Sequence, residues 1–139
     1  MANKINLAFF NAYLELDKVC RERFEVSKGG VTAYINRLVE YRFAPDRSEI
    51  LQRLIRYRKL RNIIAHEVDA FDVIDEITKD DIKWLNEFTK KIEKNRDAVS
   101  KYERKTKMYS FWRKARLALI GVGVVIVIVA GIIIYNIFK

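Results

Sequence analysis

The chain has one cysteine, one histidine and one proline in 139 residues, and only five glycines. Cys20 has no partner within the chain, so no intrachain disulfide supports the fold, and a reducing cytosol suits it. One cysteine and one histidine exclude a structural zinc site within a single chain, and no cofactor is expected. No glycine-rich phosphate loop, nucleophile elbow or metal-binding helix motif is present. The N-terminus, MANKINLAFFNAYLELDK, lacks a long apolar run and a cleavage-site pattern, so it does not read as a signal peptide.

The scarcity of glycine and proline leaves two points of helix punctuation before residue 121, at Gly29-Gly30 and at Pro45. Ile5, Phe9, Ala12, Leu16, Val19, Cys20 and Phe24 recur at helical spacing, and the following SKGG is expected to close that helix. Val31, Tyr34, Ile35, Leu38 and Val39 form one face of a second helix. Asp46 and Glu49 have the spacing of a capping box for a third, over about 47–66, with Ile50, Leu51, Leu54, Tyr57, Ile64 and Ala65 inward. Residues 67–81 then bring seven carboxylates and one lysine, which reads as a solvated acidic linker able to pair with the basic third helix. Thr78 is the expected N-cap of a fourth helix, with Ile82, Leu85, Phe88, Ile92, Val99 and Tyr102 on its buried stripe. Trp84 and Tyr57 read as core or interface positions. Because no glycine or proline follows until Gly121, the fourth helix is expected to continue as a stalk. The expected fold is all-α, an antiparallel four-helix domain.

Charge divides the chain further. Residues 1–100 hold 19 basic and 17 acidic side chains, whereas residues 101–116 hold seven basic groups against Glu103. The excess that gives the chain its net +9 is therefore concentrated in KYERKTKMYSFWRKAR, and a generally nucleic-acid-coating protein is excluded. Residues 117–138 follow without a charge. As a helix this run would be about 33 Å long, against a hydrocarbon core of about 30 Å. A domain of this size cannot enclose so long a helix that is apolar on every side. The expected organisation is thus a cytosolic helical domain over 1–100, a basic juxtamembrane stalk over 101–116 and a transmembrane helix over 117–138. Cationic flanks stay on the cytoplasmic side, which predicts a single-pass protein of the inner (plasma) membrane with its N-terminal domain in the cytoplasm. The basic stalk would attract anionic membrane lipids, and Tyr109, Phe111, Trp112 and Tyr135 stand where aromatic belts anchor a span. Ala118, Gly121, Gly123, Ala130 and Gly131 would let such helices approach closely, and Asn136 could hydrogen-bond across a pair.

The densest chemistry lies in RYRKLRNIIAHE, residues 56–67. Arg58, Asn62 and His66 are spaced i, i+4, i+8 along one helix edge, with Arg61 beside it. His66 comes at a helix C-terminus, whose dipole favours the imidazolium. A histidine that titrates near neutrality, next to a guanidinium that can fork onto a phosphate, suits phosphodiester cleavage. In RNA the 2′-hydroxyl supplies the nucleophile.

Arg61, Asn62, three further residues and His66 resemble the motif of the HEPN superfamily (higher eukaryotes and prokaryotes nucleotide-binding), which in that family ends the third helix of an all-α bundle. The resemblance covers residues 5 to about 100. It implies a HEPN-like four-helix bundle and a metal-independent endoribonuclease. Arg61 and His66 would then be catalytic, Asn62 would orient the histidine or the phosphate, and Arg58 would support phosphate and RNA binding. With one motif per chain, it implies a composite site across a homodimer or a larger homo-oligomer. It also implies a toxin or antiviral-defence role, with an antitoxin or a CRISPR effector as a partner. The alternative is a non-catalytic HEPN oligomerisation module whose apolar helices assemble into a membrane pore, lined for dewetting rather than for ion selection.

Overall fold

The computed structural model describes residues 2–66 and 76–138, with backbone only at 2, 3 and 66. The expected linker therefore lies outside the described residues over 67–75. Every element among the described residues is a helix: α1 Ala2–Phe24, α2 Gly30–Glu40, α3 Arg47–His66, α4 Lys79–Glu93 and α5 Ala98–Ile137. The chain divides into two compact units, Met1–Tyr102 and Glu103–Lys139.

In the first unit α1 packs along both α2 and α4, and α3 packs on α2 and α1. The expected stripes supply most of the core: Phe9, Leu16, Cys20, Val31, Tyr34, Leu38, Leu54, Tyr57, Leu85 and Val99 are all but fully buried. A chain of ring contacts joins the four helices. It runs from Phe9 to Tyr57 (centroids 5.5 Å), Trp84 (5.6 Å), Phe88 (4.6 Å, stacked), Tyr34 (5.3 Å) and Phe24 (6.0 Å). Each such pair adds about 0.5–1.5 kcal/mol to the area it buries. The stripes also need amendment. Val39 is 52 % exposed and Ala65 is exposed, while Leu60 and the polar Asn6 are buried.

Helix ends depart from the expected punctuation. α1 closes at Glu25 (φ 54°), before SKGG, with the Val26 amide bonded to the Arg21 carbonyl at 3.1 Å. Gly30 lies so close to α1 that the N-terminus of α2 is fixed there, and the Asp17 carboxylate accepts from the Val31 amide at 2.9 Å. The expected Asp46–Glu49 capping box is not formed. Asp46 adopts φ 54°, outside the extended region an N-cap uses, and Glu49 pairs with Arg53 at 3.2 Å.

The uninterrupted stalk is likewise corrected. The chain turns between Glu93 and Ala98 without glycine or proline. Asn95 takes the left-handed conformation (φ 52°), its amide bonds to Ile92 O, and the Arg96 amide bonds to Lys91 O at 2.8 Å. This is a Schellman closure with asparagine in the glycine role. Asp97 then opens α5, accepting at Oδ2 from the amides of Val99 (3.0 Å) and Ser100 (3.2 Å).

α4 starts as expected at Thr78, and the reciprocal bond comes from Asp81. Thr78 Oγ1 accepts from the Asp81 amide, while Asp81 Oδ2 accepts from the Thr78 amide at 2.9 Å. Asp81 is therefore a buried cap rather than part of a solvated linker, and it also accepts from Tyr57 (2.8 Å) and Arg56 (3.3 Å). Thr78→Ala is expected to lower stability by about 1 kcal/mol. Thermal unfolding of the full chain in detergent micelles checks this, and an unchanged midpoint would contradict the role of the cap.

In the second unit the residues from Arg104 to Phe138 are exposed, Ala115 excepted. One helix among the described residues is long and apolar enough to cross a membrane, and none of its apolar stretch is buried within the protein. Left in water, that stretch would be a far larger apolar patch than soluble monomers tolerate.

Candidate functional site

The site follows from the phase of α3. Ile50, Leu54, Tyr57, Leu60 and Ile64 are the buried stripe of this helix. At 3.6 residues per turn, that stripe places Asn62 on the solvent side, with Arg58 and Arg61 at its borders. Asn62 is exposed, and Arg58 and Arg61 are half-buried. Arg61 Nη1 donates to Asn62 Oδ1 at 3.1 Å. The Nε of Arg61 is buried and has no hydrogen-bond partner among the described residues. Its guanidinium thus straddles the surface, with one edge inward and one held out by Asn62. The structure brings Arg61 and Asn62 together at an exposed edge. His66 ends the same helix, but its side chain lies outside the described residues.

Arg58 reaches towards α2, where Nη1 approaches Thr32 Oγ1 at 3.4 Å. Thr32 sits in the first turn of α2, which the close approach of Gly30 to α1 holds in place. Neither Thr32 nor Tyr13 was legible as part of this site. Tyr13 is buried on α1 and feels the charges of both Arg58 and Arg61. Burial pushes its phenol well above the ordinary range, and Asp17 adds to that, while Arg61 and Arg58 oppose it. Tyr13 is therefore neutral at physiological pH and cannot act as a base. Only its helical phase, i+4 from Phe9, could have indicated burial, and nothing local indicates the arginines. Cys20 is excluded as a nucleophile for a similar reason, since burial, with Asp17, pushes its thiol up to about 12.

An open groove of about 460 Å3 runs along another flank of α3, lined by Gln52, Ile55, Lys59, Ile63 and Glu76 among others. Arg58, Arg61 and Asn62 do not line it. Arg56, at its edge, is tied to Asp81 and to the carbonyl of Glu76 (2.8 Å). The basic character of the third helix is thus partly consumed in holding α4. What remains at the Arg61–Asn62 edge is a half-buried guanidinium held by an exposed amide, able to contact a phosphate.

No curated protein and no solved structure matches the chain. Residues 7–118 match the model of a family of unknown function, DUF6548, so the chain belongs to that family.

Proposed function

We propose that the chain is a membrane-anchored, cytosol-facing protein of HEPN type, and that the α3 edge is one half of a metal-independent endoribonuclease site. The observation that carries this reading is the Arg61–Asn62 pair, held at 3.1 Å on the exposed edge of the third helix of a helical domain, four residues before the His66 that ends it. His66 would take the proton of a 2′-hydroxyl as it attacks the adjacent phosphorus, closing a 2′,3′-cyclic phosphate, and the 5′-oxygen would leave as a hydroxyl after taking a proton from solvent. Arg61 would stabilise the charge developing on the phosphoryl oxygens, with Asn62 fixing its orientation and Arg58 supporting the neighbouring phosphate. One such motif per chain supports a composite site, completed by the same edge of a second copy in a homodimer. A toxin or antiviral-defence role would follow from cleavage of cellular or invading RNA. An antitoxin or CRISPR effector would be its regulator.

His66→Ala in the full-length protein is expected to abolish cleavage of a fluorogenic single-stranded RNA in micelles with EDTA present, with oligomer size unchanged. If the wild-type protein cuts no RNA across a range of substrates, this reading fails.

A second reading is favoured by a specific observation: Arg58 and Arg61 are partly engaged inside the domain, through Thr32 and beside Tyr13. In that reading the motif is structural, the helical domain is an oligomerisation module, and assembled α5 helices form a pore. Release of a trapped dye from liposomes by the full-length protein, equally by wild type and His66→Ala, would favour it.

A further inference from the structure

The segment 107–116 lies wholly in the second unit and is exposed apart from Ala115. Its aromatic side chains are as exposed as its charges: Tyr109 is 70 %, Phe111 67 % and Trp112 66 % accessible. In water that exposure is costly, and the Phe111–Trp112 ring contact at 6.3 Å leaves both rings open.

The distribution around the helix is informative. At 100° per residue, Tyr109, Trp112, Arg113 and Arg116 share one face, and Lys107, Phe111 and Lys114 share the opposite one. Each face therefore carries both aromatic rings and cations. A helix lying flat in a membrane surface separates these, with apolar groups on one side and charge on the other. A helix crossing the headgroup layer upright meets lipid all round and needs both on every side. On the first face, Tyr109, Trp112, Arg113 and Arg116 lie side by side with Thr106 and Ser110 along one exposed helix surface. Two guanidiniums suited to forked contact with a phosphate stand beside two rings suited to the glycerol and upper acyl region. The next residues, 117–138, are uncharged. Charge complementarity and continuity with that run select one occupant.

We propose that residues 107–116 form an upright collar that binds the headgroups of anionic phospholipids, with Arg113 and Arg116 on the phosphate and Trp112 beside the acyl chain. A free phosphate would satisfy the arginines but leave both rings in water. RNA would satisfy the charges and one stacking face but not the apolar run that follows.

The full-length protein, reconstituted into phosphatidylcholine vesicles doped with brominated phosphatidylglycerol or brominated phosphatidylcholine, tests this through Trp fluorescence. Brominated phosphatidylglycerol is expected to quench with about thirtyfold higher apparent affinity, the preference that two cations near an anionic surface supply. Trp112→Phe should remove the quenching by either lipid. Arg113→Gln/Arg116→Gln should leave Trp112 quenched but equalise the two lipids, with helical content unchanged. Equal quenching of the wild-type protein by both lipids would overturn the proposal. So would a double variant that keeps its lipid preference and instead loses affinity for a single-stranded RNA. Because no ribonuclease assay enters, failure here is distinguishable from failure of the nuclease reading.

Discussion

Asp97→Asn is expected to destabilise the helical domain by about 3–5 kcal/mol, the loss that follows when one partner of a buried ion pair is removed. The Asp97 side chain is wholly buried, and it pairs with Arg23 Nη1 at 2.6 Å. It also accepts from the Tyr34 hydroxyl at 2.9 Å, the Ser100 hydroxyl at 2.5 Å and the amides of Val99 and Ser100. One carboxylate thus joins the end of α1, the middle of α2 and the start of α5. Asparagine keeps the shape but presents an NH2 where an acceptor is needed, and it removes the negative charge that faces the largely buried guanidinium of Arg23. Chemical denaturation of the full chain in micelles measures the effect, and a loss under about 1 kcal/mol would mean that the network is dispensable. The same group sets an acid response. Burial alone would raise the Asp97 carboxyl, but the Ser100 hydroxyl, Arg23 and Tyr34 hold it below the ordinary carboxylate value. Its contribution is therefore full above the unfolded value of about 3.9 and is lost as pH falls through the lower folded value. The wild type should lose stability over that acid window, and Asp97→Asn should lose less. Asp81 is also held low, by Thr78, Tyr57 and Arg56 against its burial, and it leaves a residual slope of the same sign in the variant.

Gly30→Ala is expected to cost about 3 kcal/mol, at the upper end for overpacking, because the atoms in the way are backbone. A Cβ at residue 30 would lie 2.1 Å from the Asp17 carbonyl oxygen and 2.5 Å from the Arg21 nitrogen. Both belong to the interior of α1, where neither can yield without breaking the helix. Moving α2 away instead would draw the Val31 amide from Asp17 and Thr32 from Arg58. The neighbouring Gly29 is a different case: its φ of 68° is the constraint, and only Thr32 atoms at 3.8 Å and beyond face an added Cβ. Gly29→Asn should therefore cost little and Gly29→Ala about 1–2 kcal/mol. Equal midpoints for Gly30→Ala and wild type in thermal unfolding would refute the close packing of α2 on α1.

Much of the helical architecture was legible because it rests on local rules. The 3.6-residue period marked Phe9, Leu16, Leu38, Leu54, Leu85 and Val99 as core, and Thr78 as a cap. The break at 94–97 was not legible. Its closing residue is an asparagine in a glycine role, and its opening residue is an aspartate whose partners Tyr34 and Arg23 lie 63 and 74 positions away. Asp81 was misread for the same reason, since Tyr57 and Arg56 convert a carboxylate in an acidic run into a buried cap. At the candidate site, Arg58, Asn62 and His66 could be placed on one helix edge, with Arg61 beside it, from spacing alone. That Arg61 would be half-sunk beside Tyr13, and Arg58 turned to Thr32, depended on which helices pack against α3.

The sequence by itself determined the helical class, the sidedness of each helix, the concentration of charge at 101–116 and the uncharged run beyond it. Those properties belong to single segments and need no partner. Tertiary structure alone decided that Asp97 opens a new helix, which carboxylates are buried, and how far the arginines of α3 are free to meet a ligand. Each of these turns on whether a polar group finds a hydrogen-bonding partner across the core, and the sequence does not state which distant residues will meet.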